Sequence, residues 1–226
     1  MENNEADTRH YTLWNVFGAS PTPSPLRPAS TDELSTLIDT LASRGVTVRG
    51  LYDVSGLRAG ADVMVWMHGD DPAELQAAAR AFRRQTAFAG MIPTWNALGV
   101  HRDAEFTRSH VPAFARGVAP AQRLTLYPFN RSYEWYLLPE EERRELLAEH
   151  GRAGSAYRDI LTNTVSAFAL GDFEWLLPLE ADDPVDLVDL MRTLRATRAR
   201  LHVRDEIPFF TGRRVEPREV LEILGA

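Results

Sequence analysis

The spacing of apolar residues alternates between two periods along the chain. Residues 10–19 (HYTLWNVFGA) are dense in aromatic and β-branched side chains and read as a strand. Ser30 and Glu33 then form a capping-box pattern ahead of Leu34, Leu37, Ile38 and Leu41, a helical stripe that stops at Gly45. Strands over 46–54 and 61–69 follow, then a helix from Asp71 with Leu75, Ala78, Ala79 and Phe82 on one side, and a strand over 92–100. A similar order returns after the midpoint. A strand over 123–130 is followed by a helix over 139–150, strands over 164–172 and 173–181, a helix over 183–199 and a strand over 208–215.

Residue identities support a duplication. Asp70-Asp71-Pro72 matches Asp182-Asp183-Pro184, and at the same offset Leu75, Arg80 and Arg83 fall on Leu187, Arg192 and Arg195. The expected fold is therefore α+β, with two ferredoxin-like βαββαβ repeats joined into a barrel of the dimeric α/β type within a single chain. Closing the two sheets on each other would remove their exposed edges. The expected division is an N-terminal half over 1–101 with a flexible tail at 1–9, a connecting loop over 102–121, and a C-terminal half over 122–226.

Composition narrows the function. There is no cysteine, which excludes thiolate metal sites, disulfides and thiol nucleophiles, so a metal would be held by histidine or carboxylate. A formal charge of −7 argues against nucleic acid as a partner. No apolar run reaches the ~20 residues of a membrane span, and the acidic start MENNEADTRH is unlike a signal peptide, so a cytoplasmic protein without a membrane span is expected. Every basic residue other than histidine is arginine, whose planar fork suits carboxylates.

The segment YPFNRSYEWYLLPEEERRELLAEHG, from Tyr127 to Gly151, carries the candidate chemistry. His150 falls on the same helix face as Leu146 and Leu147. It reads either as a core histidine satisfied by a carbonyl or by the helix dipole, or as a single axial ligand to an iron porphyrin, which needs one protein ligand. Alternation over 124–131 puts Thr125, Tyr127, Phe129 and Arg131 on one face and Leu124 and Leu126 on the other. That face is either a half-exposed surface or the wall of a pocket in which a phenol moves a proton or electron while a guanidinium holds an anion. His68 reads as a strand end running into a helix cap, and His202 as a solvated helix end. His101, Asp103 and Glu105 alternate as ligands might, without a second histidine at ligand spacing. His110, in the long connecting loop, has the character of a general base near neutral pH.

With SHVPAF upstream and LRATRARLHVRDEIPFFTGRRV downstream, this segment resembles the actinobacterial coproheme decarboxylases of the chlorite-dismutase-like superfamily. The resemblance covers nearly the whole chain. It implies hydrogen-peroxide-dependent oxidative decarboxylation of iron coproporphyrin III (coproheme) to haem b in haem biosynthesis, through a tyrosyl radical. It further implies a homopentamer and transient contact with a ferrochelatase that delivers coproheme. In that reading His150 is the axial iron ligand, Tyr127 the radical tyrosine and His110 the distal base. Arg131, Trp135, Arg195 and Arg200 border the porphyrin and its propionates. Asn163, aligned with the distal arginine of chlorite dismutases, faces the cofactor; its identity disfavours chlorite chemistry. A haem-binding or peroxidase-like protein of the same fold and a non-catalytic haem carrier are the alternatives. Two positions depart from the family pattern, Asn130 and Ser155.

Overall fold

The structure is a computed structural model and describes residues 10–22, 29–102 and 111–225. His110, Asp103 and Glu105 lie outside the described residues. The first half runs β1 (Tyr11–Ala19), α1 (Thr31–Ser43), β2 (Val46–Asp53), β3 (Val63–Gly69), α2 (Pro72–Arg83) and β4 (Met91–Val100). The second runs β5 (Arg123–Arg131), α3 (Glu140–Gly154), two short strands β6 (Leu161–Thr162) and β7 (Val165–Ser166), β8 (Trp175–Ala181), α4 (Pro184–Arg195), β9 (Val203–Asp205) and β10 (Phe210–Val215). A terminal helix, α5 (Pro217–Leu224), was not expected from the apolar spacing; it starts at Pro217 with a Glu216/Glu219 capping box and stops at Gly225 in the left-handed region.

All strand pairings are antiparallel, and they close on themselves. Around the barrel the order is β4-β1-β3-β2, then β10-β5-β8-β7, with β7 returning to β4. Leaving out the short β6 and β9, each half thus contributes its four barrel strands in the order fourth, first, third, second. The seams are β2 with β10, over Asp53 to Leu51, and β4 with β7, at Val100 opposite Ser166. The chain is an antiparallel β-barrel with helices outside it.

Period-two alternation explains where the cores sit. Trp14, Val16, Met64 and Trp66 point into the barrel with Leu124, Leu126, Leu176 and Phe210. Leu13, Phe17, Val63, Val65 and Met67 point outward onto α1, α2 and α5, meeting Leu34, Leu41, Leu75, Phe82 and Val220. The outer core of the second half is smaller: Tyr127, Ile160, Leu179 and Ala181 against Leu187 and Leu190 of α4. Helix α3 buries only Leu146, and its main contacts are with α4 and the 3-10 turn Arg198–His202 rather than with a strand.

Helices α2 and α4 begin alike. Asp71 accepts from Ala73 N at 2.8 Å and Asp183 from Val185 N at 2.9 Å, each followed by proline in the first turn. Of the strand expected over 164–172 only the two residues of β7 form, followed by a turn where Ala169 has φ of 62°. The helix expected to run to 199 ends at Arg195, because the Thr197 hydroxyl donates to Leu194 O at 2.7 Å and the chain there turns extended.

Candidate functional site

The site is laid out by the two faces of β5. Across to β8, Leu124 faces Glu180 and Leu126 faces Pro178, inside the barrel. Thr125 faces Leu179, Tyr127 faces Leu177 and Phe129 faces Trp175, on the outer face beneath the helices. The expected alternation is therefore present, but the strand is not half-exposed: both faces are buried from Leu124 to Asn130.

Tyr127 is 4% exposed, with its ring stacked on Phe209 at 4.5 Å and 14°. Its hydroxyl donates to Met191 Sδ at 3.4 Å. Burial pushes its pKa up, the Glu206 carboxylate pushes the same way, and the Arg195 and Arg200 guanidiniums partly oppose them. Tyr127 is thus a neutral phenol, and removing an electron from it requires removing the proton as well. Glu206, which the apolar and motif patterns did not single out, bridges the two arginines. Its Oε1 meets Arg200 at 2.8 Å and its Oε2 pairs with Arg195.

His150 is half-buried on α3, and its Nδ1 lies 3.4 Å from Thr197 Oγ1. The Thr197 proton is committed to Leu194 O, so toward the imidazole that hydroxyl accepts. The proton of the ring accordingly sits on Nδ1, leaving the lone pair on Nε2. Burial lowers the His150 pKa, and the positive charge of Arg131 lowers it further, so the ring is neutral at neutral pH and competent as a ligand. Of the two readings of His150, a carbonyl-satisfied core residue does not describe it: its partner is a side-chain hydroxyl. Among the described residues, no group of three or more His, Asp or Glu is gathered to hold a metal ion.

Arg131 lies over the Trp135 ring at 4.1 Å and over Phe129 at 5.0 Å. Trp135 is 1% exposed and packs on His202 at 5.4 Å; His202, expected to be solvated, also lies 3.3 Å from Ser132 Oγ. Asn130 ties β5 to its neighbours, accepting from Glu174 N at 2.8 Å and reaching Asp205 at 3.5 Å. Ser155 caps the exit of α3, its hydroxyl donating to Arg152 O at 2.7 Å. Both departures from the family pattern therefore have local hydrogen-bonding roles.

Asn163 is fully buried and turned toward the barrel interior with Glu180, on the opposite side of the sheet from Tyr127. Its Nδ2 donates to Glu180 Oε1 at 2.8 Å and its Oδ1 accepts from Phe114 N at 2.9 Å. With its amide used on both sides by protein groups, it holds the 113–117 turn. His68 sits where the sequence placed it, at the end of β3 just before the Asp71 cap of α2. It is 8% exposed and its Nδ1 pairs with His10 Nε2 at 2.8 Å, while His10 Nδ1 lies 3.4 Å from Asp70.

The family model for chlorite dismutase matches residues 27–215. The chain belongs to the chlorite dismutase family. Within this family, a protein named coproheme decarboxylase from Mycolicibacterium smegmatis is 50% identical over 210 residues, covering 92% of this chain and 91% of that one. Another of that name from Staphylococcus saprophyticus is 24% identical, covering 84% and 86%. A crystal structure of a mutant chlorite dismutase from Candidatus Nitrospira defluvii superposes with a TM-score of 0.81 at 21% identity, covering 96% of each chain, which shows the shared fold.

The residues of this family member fit an iron porphyrin. Where α1 and α2 lie against strands, α3 makes its main contacts with α4 and the Arg198–His202 turn, and the charge of Arg131 on β5 is felt at its imidazole. An iron macrocycle needs one neutral nitrogen lone pair and cations at its rim for carboxylates; His150, Arg131, Arg195 and Arg200 are of those types. The turns around it expose apolar side chains, Leu137, Leu201 and Ile207 among them.

Proposed function

We propose that this protein converts coproheme to haem b by hydrogen-peroxide-dependent oxidative decarboxylation in haem biosynthesis. The observation that carries the reading is the buried, stacked phenol of Tyr127 under the influence of the Arg195–Arg200 pair, in a chain 50% identical to a coproheme decarboxylase. His150 would hold the iron through Nε2, with Thr197 keeping Nδ1 protonated. Arg131, Arg195 and Arg200 would hold propionates, and Trp135 would back Arg131. When bound, the iron macrocycle supplies the oxidising chemistry, with peroxide as the oxidant.

Tyr127 loses an electron and its proton together, since burial disfavours tyrosinate and phenol cation alike. The resulting tyrosyl radical takes a hydrogen atom from the propionate carbon next to the ring, and the carboxylate leaves as carbon dioxide. Each round turns a propionate into a vinyl group and carbon dioxide, releasing a proton and two electrons. One hydrogen peroxide takes up those two electrons, with two protons, in becoming two waters. His110 is the proposed base toward peroxide; it lies outside the described residues.

Anaerobic addition of iron coproporphyrin III should give a shifted Soret band, and peroxide should then remove two carboxyl groups per porphyrin, read by mass. Tyr127→Phe should bind with unchanged affinity and form no vinyl product. Product formation at the wild-type rate by that variant would end the radical assignment.

The same proposal includes the finer architecture. The halves 1–101 and 122–226, joined by 102–121, are two copies of a ferredoxin-like unit, a reading supported by the repeated strand order and by the matching starts of α2 and α4. By family resemblance the protein works in the cytoplasm as a homopentamer and receives coproheme from a ferrochelatase. Among the described residues, no helix is long and apolar enough to cross a membrane.

A further inference from the structure

Two guanidiniums proposed to hold propionates are already bridged by a carboxylate. Glu206 reaches Arg200 with one oxygen, at 2.8 Å, and Arg195 with the other. Its side chain is 16% exposed, whereas those of Arg195 and Arg200 are 34% and 41% exposed. The arginines therefore remain reachable from solvent on the side that Glu206 does not cover. Glu206 begins the short run 206–209 whose other end, Phe209, stacks on Tyr127. One segment thus covers the phenol with a ring and neutralises the neighbouring cations with a carboxylate.

We propose that Glu206 is an internal stand-in for a substrate carboxylate, occupying the Arg195–Arg200 pair until a porphyrin carboxylate displaces it. This rests on the coproheme reading and adds a specificity element to it. A partly exposed ion pair is weak enough to exchange, because solvent and side-chain entropy offset most of its Coulomb energy. A ligand whose carboxylate lies at this pair must displace Glu206, so a porphyrin without a carboxylate there gains nothing from the arginines. Once that carboxylate leaves as carbon dioxide, Glu206 can return to the guanidiniums and favour release of the less charged product.

The two roles available to Glu206 differ in sign. A competitor weakens carboxylate binding, whereas a carboxylate that merely aims the arginines strengthens it. The test is titration of the full chain with iron-free coproporphyrin III, followed by porphyrin fluorescence, a readout that does not pass through His150 or turnover. Glu206→Gln should bind about fivefold to tenfold more tightly than wild type. The gain should vanish when Arg195 and Arg200 are both changed to Gln. Glu206→Asp, which keeps the charge but is too short to bridge both arginines, should fall between. Weaker or unchanged binding by Glu206→Gln overturns the proposal, as does a gain that survives loss of both arginines. If Glu206→Gln does not fold, tighter binding by Glu206→Asp than by wild type supports the proposal and equal or weaker binding overturns it. Wild-type chain that binds neither iron-free nor iron coproporphyrin III overturns the coproheme reading and this proposal together. Wild-type binding without a Glu206 effect overturns this proposal alone.

Discussion

At the scale of single residues, the site works by fixing protons. Thr197 has one proton and gives it to Leu194 O, so its lone pair fixes the tautomer of His150. Thr197→Val keeps the shape and removes that lone pair. It should weaken axial ligation of iron coproporphyrin by roughly tenfold or more, as loss of a partner behind a metal ligand commonly does, with the Soret band shifted toward that of weakly ligated iron. Affinity and spectrum equal to wild type would show that the 3.4 Å contact does not hold the ring. Tyr127 is the complementary case: among the described residues its hydroxyl donates to a thioether, so the proton is held without a strong acceptor and would leave with the electron in the proposed reaction.

At the scale of elements, α4 matters more than its length suggests. It covers Tyr127 with Leu187 and Leu190, carries Arg195 in its last turn, and leads directly into Thr197. Its start is set by Asp183, whose side chain accepts from Val185 N at 2.9 Å. Asp183→Ala should cost about 1 kcal/mol in denaturant unfolding, the usual cost of losing such a cap. A loss below a few tenths of a kcal/mol would mean that packing alone fixes the start. The contrast between α3 and α1 is also decided at this scale. Both are amphipathic by sequence, but α1 buries Leu34 and Leu41 in a large core while α3 buries Leu146 alone. The sparsely packed helix is the one that bears the imidazole proposed to hold the iron.

At the scale of the molecule, a buried ion pair joins the halves. Arg49 of β2 donates through Nε and Nη2 to Glu180 of β8 at 3.0 and 2.7 Å, and through Nη1 to Val118 O at 2.9 Å. Glu180 also accepts from Asn163 and from Ala121 N. Arg49→Ala leaves that carboxylate buried without its cation and should destabilise the fold by about 3–5 kcal/mol; a loss under 1 kcal/mol would show that the pair is dispensable.

The acid side of the stability curve has a source in the same barrel. Burial, with the charges of His10 and Arg49, lowers the His68 pKa to about 3, against 6.5 unperturbed. Between those values the unfolded chain holds the extra proton, so stability is full above about pH 6.5 and is lost as pH falls toward 3. His68→Gln should flatten that slope in unfolding measured at a series of pH values. An unchanged slope would assign the acid sensitivity to other groups.

Most of the architecture was legible in the chain itself, because it depends on local periodicity. The alternation over 124–131 placed Tyr127 and Arg131 on one face, and the paired Asp-Asp-Pro starts located α2 and α4. The failures were local as well: a strand over 164–172 of which only Val165–Ser166 forms, a helix end at Arg195, and α5, whose Pro217 start, capping box and Gly225 stop were present but unread. Sequence fixes what a residue can do: an imidazole can ligate, a phenol can be oxidised, an arginine can bind a carboxylate. Tertiary structure decided which of these are free to do so. It turned Asn163 inward onto Glu180, buried His68 against His10, gave His150 a hydroxyl partner, and set Glu206 between two arginines. Each of the first three contacts joins residues at least 17 positions apart, and in the fourth the end of α4, a 3-10 turn and β9 intervene between Arg195 and Glu206. No repeat in the chain encodes such contacts; they exist only because closing the barrel and docking its helices bring those side chains together.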